Sequence, residues 1–166
     1  MRDRAQCSFI PQIEKMYGRE ELRNLKIEFW KNFSTYCKVQ PYLRNRQKMW
    51  MLYDTKVRGV ELKFDATREG ANVILEVNNK DEDERLEMYE KLTWHKEGLE
   101  KDFADGLIWD LCYIGETGND VARIYTKREE IDFHRHKDWG KFFSFMAQNM
   151  YLMERNFKNI ADYIRD

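Results

Sequence analysis

From Trp139 to Ile164 the large apolar residues recur at alternating steps of four and three: Trp139, Phe143, Met146, Met150, Met153, Phe157, Ile160 and Ile164. That spacing puts all eight on one stripe of an α-helix. A helix from Asp138 onward would be about 40 Å long at the standard rise per residue. A stripe of that length must be buried against a sheet or another helix. Phe142, Phe145 and Leu152 fall off it, so the apolar surface is wider than one seam. Asp138 is expected to cap the helix.

A second pattern supplies the sheet. Val60, Leu62, Phe64 and Ala66 alternate with Glu61, Lys63 and Asp65. Period two means one buried face and one wet face. Arg68-Glu69-Gly70 turns the chain, and Asn72 to Val77 returns it with Val73, Leu75 and Val77 inward, as an antiparallel hairpin. Ile108 to Tyr113 and Val121 to Thr126 form a second strand pair around a turn at Gly115 to Asp120, and Met49 to Tyr53 is a further short strand. Helical spacing returns at Leu22, Leu25, Phe29, Phe33 and Tyr36, in a helix ended by Pro41. It returns again at Met88, Leu92, His95, Leu99 and Phe103. His95 on that stripe is expected to be a buried, structural histidine. Asn78 or Asn79 is expected to cap this helix, and Asp81 to Glu84 favour its first turn.

The order is α-βββ-α-ββ-α. The expected class is α+β, a mainly antiparallel sheet covered on one side by helices, with residues 1–18 as an arm and 19–166 as one domain. The length, 166 residues, suits a single core. Net charge is -1, which gives no general attraction to nucleic acid or anionic membrane. Charge is nevertheless uneven. Lys38 to Lys63 holds seven cations against two anions, and Asp81 to Asp105 ten anions against four cations. Two solvated faces that attract each other account for this. Cys7, Cys37 and Cys112 are odd in number and far apart, the usage of a reducing compartment. The first residues lack an apolar core of a secretion signal, and no run is long enough to span a membrane. A cytoplasmic location is expected.

Several stretches resemble a known family. These are Glu28-Phe29-Trp30-Lys31-Asn32-Phe33, Gly59-Val60-Glu61-Leu62-Lys63-Phe64, Gly106-Leu107-Ile108-Trp109, Ala122-Arg123-Ile124-Tyr125 and Asp138-Trp139. Together they make the chain similar to the bacterial "domain of unknown function 4268" family from about Tyr17 to the C-terminus. The resemblance implies a shared fold and no assigned activity. Similar domains are fused behind nuclease-like domains in larger bacterial proteins, and a chain of this length is expected to hold no second domain.

Three constellations could carry chemistry. Asp54, Glu61, Lys63, Asp65 and Glu76 include the Glu-x-Lys spelling of a restriction-endonuclease-like site, where carboxylates hold Mg²⁺ and a lysine polarises water. The spelling falls on the second strand, and the third carries Glu76-Val77-Asn78 without a lysine. His134 and His136 could share a metal in extended backbone, although no third ligand is evident. Arg44, Arg46, Lys48, Lys56 and Arg58, interleaved with Tyr42, Trp50 and Tyr53, could contact nucleic acid, which the negative total charge disfavours.

The expected function is therefore a non-enzymatic binding or scaffold domain without a cofactor, for an unknown protein partner, that self-associates. Met153, Phe157, Ile160 and Ile164 on the overhanging end of the last helix are the expected homodimer interface. The alternative is a Mg-dependent or degenerate nuclease-like domain on the charged face of the first hairpin. Convergence of Glu61, Asp65 and Glu76 around a concave site would distinguish the two.

Overall fold

The computed structural model describes residues 17–44, 50 and 54–165. Helix α1 (Arg19–Lys38) is followed by a 3-10 turn (Pro41–Leu43). The hairpin β1 (Val60–Ala66) and β2 (Gly70–Val77) comes next, then α2 (Glu82–Trp94) and the single turn α3 (Lys96–Leu99). A second hairpin, β3 (Ile108–Ile114) and β4 (Asp120–Glu129), leads through a 3-10 turn (His136–Asp138) into α4 (Trp139–Ile164). The sheet has the order β1-β2-β4-β3, and every neighbouring pair is antiparallel. The class is α+β with a long C-terminal helix. Of the expected strand from Met49 to Tyr53, only Trp50 lies among the described residues.

Register decides which side chains meet the helices. Val60 pairs with Val77, Leu62 with Leu75, and Leu75 with Ile124, so these residues share one face. They join a single core with α1, α2 and α4. Phe29 of α1 is the centre of its aromatic part. Its ring lies 5.2 Å from Trp139, 5.4 Å from Phe142 and 5.1 Å from Phe143. Phe33 extends the cluster to Phe64 and Trp50. Edge-on aromatic pairs of this kind add to the stabilisation that comes from area alone.

The far end of α4 does not overhang. Met153, Phe157, Ile160 and Ile164 are all inside the protomer's own core, with exposures of 0%, 0%, 6% and 1%. A sheet alone would have left them bare, but α2, α3 and the segment before β1 also cover that end. Leu92, Leu99 and Val57 are buried beside them. Asn156 fixes the contact by donating to the carbonyls of Leu99 and Lys101 at 2.9 and 2.8 Å. Arg165 donates to Lys56 O at 3.0 Å. These four residues are therefore core, not a surface for a second copy.

Three local expectations change for physical reasons. The predicted helix through His95 breaks there, because the backbone turns to φ -107°, ψ 22° between α2 and α3. His95 is half-buried, and its ring leans on the exposed ring of Tyr163 at 5.7 Å. The N-cap of α2 is Asp81 rather than either asparagine. At the start of α4, Asp138 makes no side-chain cap. Its carboxylate instead accepts the Asp132 N–H at 3.0 Å, and Asp132 accepts from His134 N–H and Arg68 Nε. Trp139 Nε1 donates to Phe133 O at 2.6 Å. These bonds fasten the start of α4 to the segment 132–134 that follows β4 and, through Arg68, to the β1–β2 turn.

Two predictions follow from this. Replacing His95 with Gln removes only a half-exposed ring contact, so unfolding free energy should change by no more than about 0.5 kcal/mol in denaturant titration; a loss of several kcal/mol would mean a buried partner. Asp138 behaves differently. The hydrogen bond from Asp132 holds its carboxyl below the usual carboxylate range; burial opposes this, and Arg135, Lys141 and Lys137 reinforce it. A depressed carboxyl contributes stability above its unfolded value, and that contribution is lost as pH falls through the folded value. The stability gap between wild type and Asp138→Asn should therefore close as pH drops below about 4, the ordinary Asp value. A gap that stays constant to lower pH would refute it.

Candidate functional site

Strand alternation sends a second set of side chains to the face away from the helices. Glu61, Lys63 and Asp65 come from β1, Ile74 and Glu76 from β2, and Val121, Arg123 and Tyr125 from β4. The register lines up Glu61, Glu76, Arg123 and Asp110 across all four strands. On an open face such residues would be wet. Here Ile74 and Val121 are fully buried, Glu76 is 7% exposed and Arg123 6%.

The cover comes from the β3–β4 hairpin. Between Asp110 and Tyr113 the β3 register shifts against β4, the mark of a bulge. Beyond it the loop closes through Gly115 N–H to Asn119 O at 2.8 Å and Gly118 N–H to Gly115 O at 2.9 Å. Gly118 takes φ +84°, a backbone conformation that costs glycine little. The loop roofs a cavity of about 420 Å³ lined by Lys63, Asp65, Glu76, Asn78, Tyr113, Glu116 and Arg123 among others. Among the described residues, none from a helix lines it.

Two ion pairs form its polar lining. Lys63 Nζ lies 2.6 Å from Glu76 Oε2 and 4.0 Å from Glu61 Oε2. Asn78 Nδ2 donates to Glu61 Oε2 and, at 3.3 Å, to Glu76 Oε2. Glu61 and Glu76 are like charges directly opposite each other, and this bridging offsets their repulsion. Lys63 is held above the ordinary lysine range: burial works against its charge, but the hydrogen bond to Glu76 and the fields of Glu76, Glu61 and Glu116 outweigh it. The other pair is Arg123 Nη2 with Asp65 Oδ2 at 2.7 Å. The Arg123 guanidinium also lies 4.1 Å over the Tyr113 ring.

The structure thus gathers Glu61, Lys63, Asp65 and Glu76 and leaves Asp54 apart. Asp54 lies in the loop before β1, where its carboxylate accepts the Lys56 N–H and pairs with the Lys56 ammonium at 3.1 Å. Among the described residues, no three His, Cys, Asp or Glu side chains gather as a metal would need. His134 and His136 pack separately. The first ring meets Tyr17 and Phe133, and the second stacks on Trp139 at 4.2 Å and lies 3.4 Å from Glu28. Of the basic residues, Arg46 and Lys48 lie outside the described residues. Arg44 is exposed beyond the 3-10 turn, and Arg58 shares a shallow groove with Glu84, Glu87 and Lys91 of α2.

The residues not anticipated are Arg123, Tyr113, Asn78 and Glu116. Arg123 had a signal in the sequence: it alternates with Val121 and Tyr125, a cation in the middle of an apolar strand face. Nothing local marks the loop as a roof.

Most of the recurrent motifs turn out to build the fold. Phe29 and Phe33 are core, and Glu100 accepts both Leu107 N–H and Trp109 Nε1–H, which anchors the start of β3. No curated protein and no solved structure matches the chain. A family model described as a domain of unknown function (DUF4268) matches residues 25–161, most of the chain, and the protein belongs to that family.

Proposed function

We propose that the protein is a non-enzymatic binding domain, and that the roofed pocket on the outer sheet face receives a small polar ligand. One observation carries the reading: Glu76 and Arg123, each more than nine-tenths buried, face a cavity rather than the core. Burying charge is costly, and an apolar pair of similar volume at such positions is commonly as stable or more so. Ligand sites are typically roughly 300–1,000 Å³, with a few convergent polar groups, and this cavity falls in that range. The domain is read as cytoplasmic, from the odd number and wide spacing of Cys7, Cys37 and Cys112, and as bacterial, from the family resemblance.

The nuclease alternative draws on Asp65 and Glu76, which line the cavity with Glu61 directly beside Glu76, the convergence that would favour it. Against it, Lys63 is committed to Glu76, between the very carboxylates that would have to share a metal.

Two measurements test these readings. If the Lys63–Glu76 pair is kept for binding, the double variant Lys63→Met/Glu76→Leu should unfold with unchanged free energy, or with a gain of up to about 2 kcal/mol. A loss of more than about 2 kcal/mol would make the pair structural and remove the argument for a ligand. For the alternative, Mg²⁺ or Mn²⁺ should give no saturable heat and no cleavage of plasmid DNA. Metal-dependent cleavage abolished by Glu76→Gln would reverse the choice.

A further inference from the structure

We infer that the ligand of this pocket is a zwitterion of the α-amino-acid type. This rests on the binding reading above and adds the ligand's charge. The cavity is lined by the cations Lys63 and Arg123 and by the carboxylates of Asp65, Glu76 and Glu116. A simple anion would meet three carboxylates, and a divalent cation would meet an ammonium and a guanidinium. These charges already pair with each other, Lys63 with Glu76 and Arg123 with Asp65, so a ligand of one charge would leave unpaired the partner of whichever group it took. A ligand carrying both charges meets each pole with its complement.

The poles are also close together. Arg123 and Glu76 are register partners on β4 and β2, and such partners have Cβ atoms roughly 5 Å apart. The charges of an α-amino acid are likewise adjacent. Arg123 gives Nη2 to Asp65; its Nε is sealed off, and the other terminal nitrogen, Nη1, is the one that donates to no described residue and is not sealed. A planar guanidinium with unspent donors suits a carboxylate. On the acidic side, Glu76 and Glu61 lie 2.6 and 4.0 Å from the single ammonium of Lys63 and Glu116 lines the same cavity, so an incoming ammonium finds carboxylates in excess. Tyr113, Ile114 and Val121 complete the lining and give an apolar side chain a surface.

Isothermal titration of the full chain with each of the twenty standard L-amino acids tests this. At least one should bind saturably. Its N-acetyl derivative, which lacks the ammonium, and its methyl ester, which lacks the carboxylate, should each bind about tenfold more weakly or worse. Arg123→Lys should weaken binding by a similar factor. Glu116→Gln, on an exposed loop residue that does not threaten folding, should also weaken it. An N-acetyl or ester form that binds as tightly as its parent would overturn the zwitterion while leaving a pocket that binds. Binding indifferent to both variants would place the ligand elsewhere and overturn the inference. Heat from none of the twenty would also overturn it, and the Lys63/Glu76 stability measurement would then still decide whether the pocket is a site.

Discussion

The packing of α4 across the inner sheet face is the contact on which the rest depends. α4 provides more of the large buried side chains than any other element, among them Phe142, Met146, Met150, Met153, Phe157 and Ile164. It gives α1 an aromatic surface through Phe29, and it gives α2 and α3 an apolar end to close. At the standard rise per residue it extends past the sheet, and the α2–α3 turn covers the remainder. That is why Asn156, a polar residue 1% exposed, sits on α4: it satisfies the carbonyls at the end of α3 where no regular partner exists. The same dependence explains the bonds among Asp132, Asp138, Arg68 and Trp139, which set where α4 begins relative to β4.

Much of the architecture was legible because it follows from periodicity. The eight-residue stripe of α4 and the alternation of β1 each have one physical solution, and both hairpins lie where the turns placed them. What was not legible depends on contacts distant in sequence. His95 lies on an apolar stripe, but a stripe cannot show that the backbone breaks beneath it. Met153, Phe157, Ile160 and Ile164 form a surplus apolar end by length alone, and only tertiary placement shows that α2 and α3 reach it. Asp138 reads as a cap by residue type, yet a residue six positions earlier takes its carboxylate.

The site was half legible for a related reason. Alternation put Glu61, Lys63, Asp65 and Glu76 on one face, which was correct. It also implied that this face is wet, which holds for Glu61 and Lys63 of β1 and fails for Glu76 and Arg123. Burial of Glu76 and Arg123 requires the β3–β4 loop to fold over the strands, and that depends on a register shift between Asp110 and Tyr113 that no periodicity in the strand reveals. The pattern of single strands locates charges; whether those charges form a surface or a site is set by how a neighbouring strand ends.

The roof is a turn of a few residues on an edge hairpin, with Gly118 at a tip that has open space around it. Surface turns of this kind accept insertions and substitutions far better than the elements they join. The molecule therefore divides into a part that must be kept and a part that is free to vary: the strands hold the charges fixed, while the length and composition of the segment from Gly115 to Asn119 can change the shape and sign of the opening above them. Selectivity in such a scaffold can be rewritten by editing five residues while the strands beneath keep the charges in register.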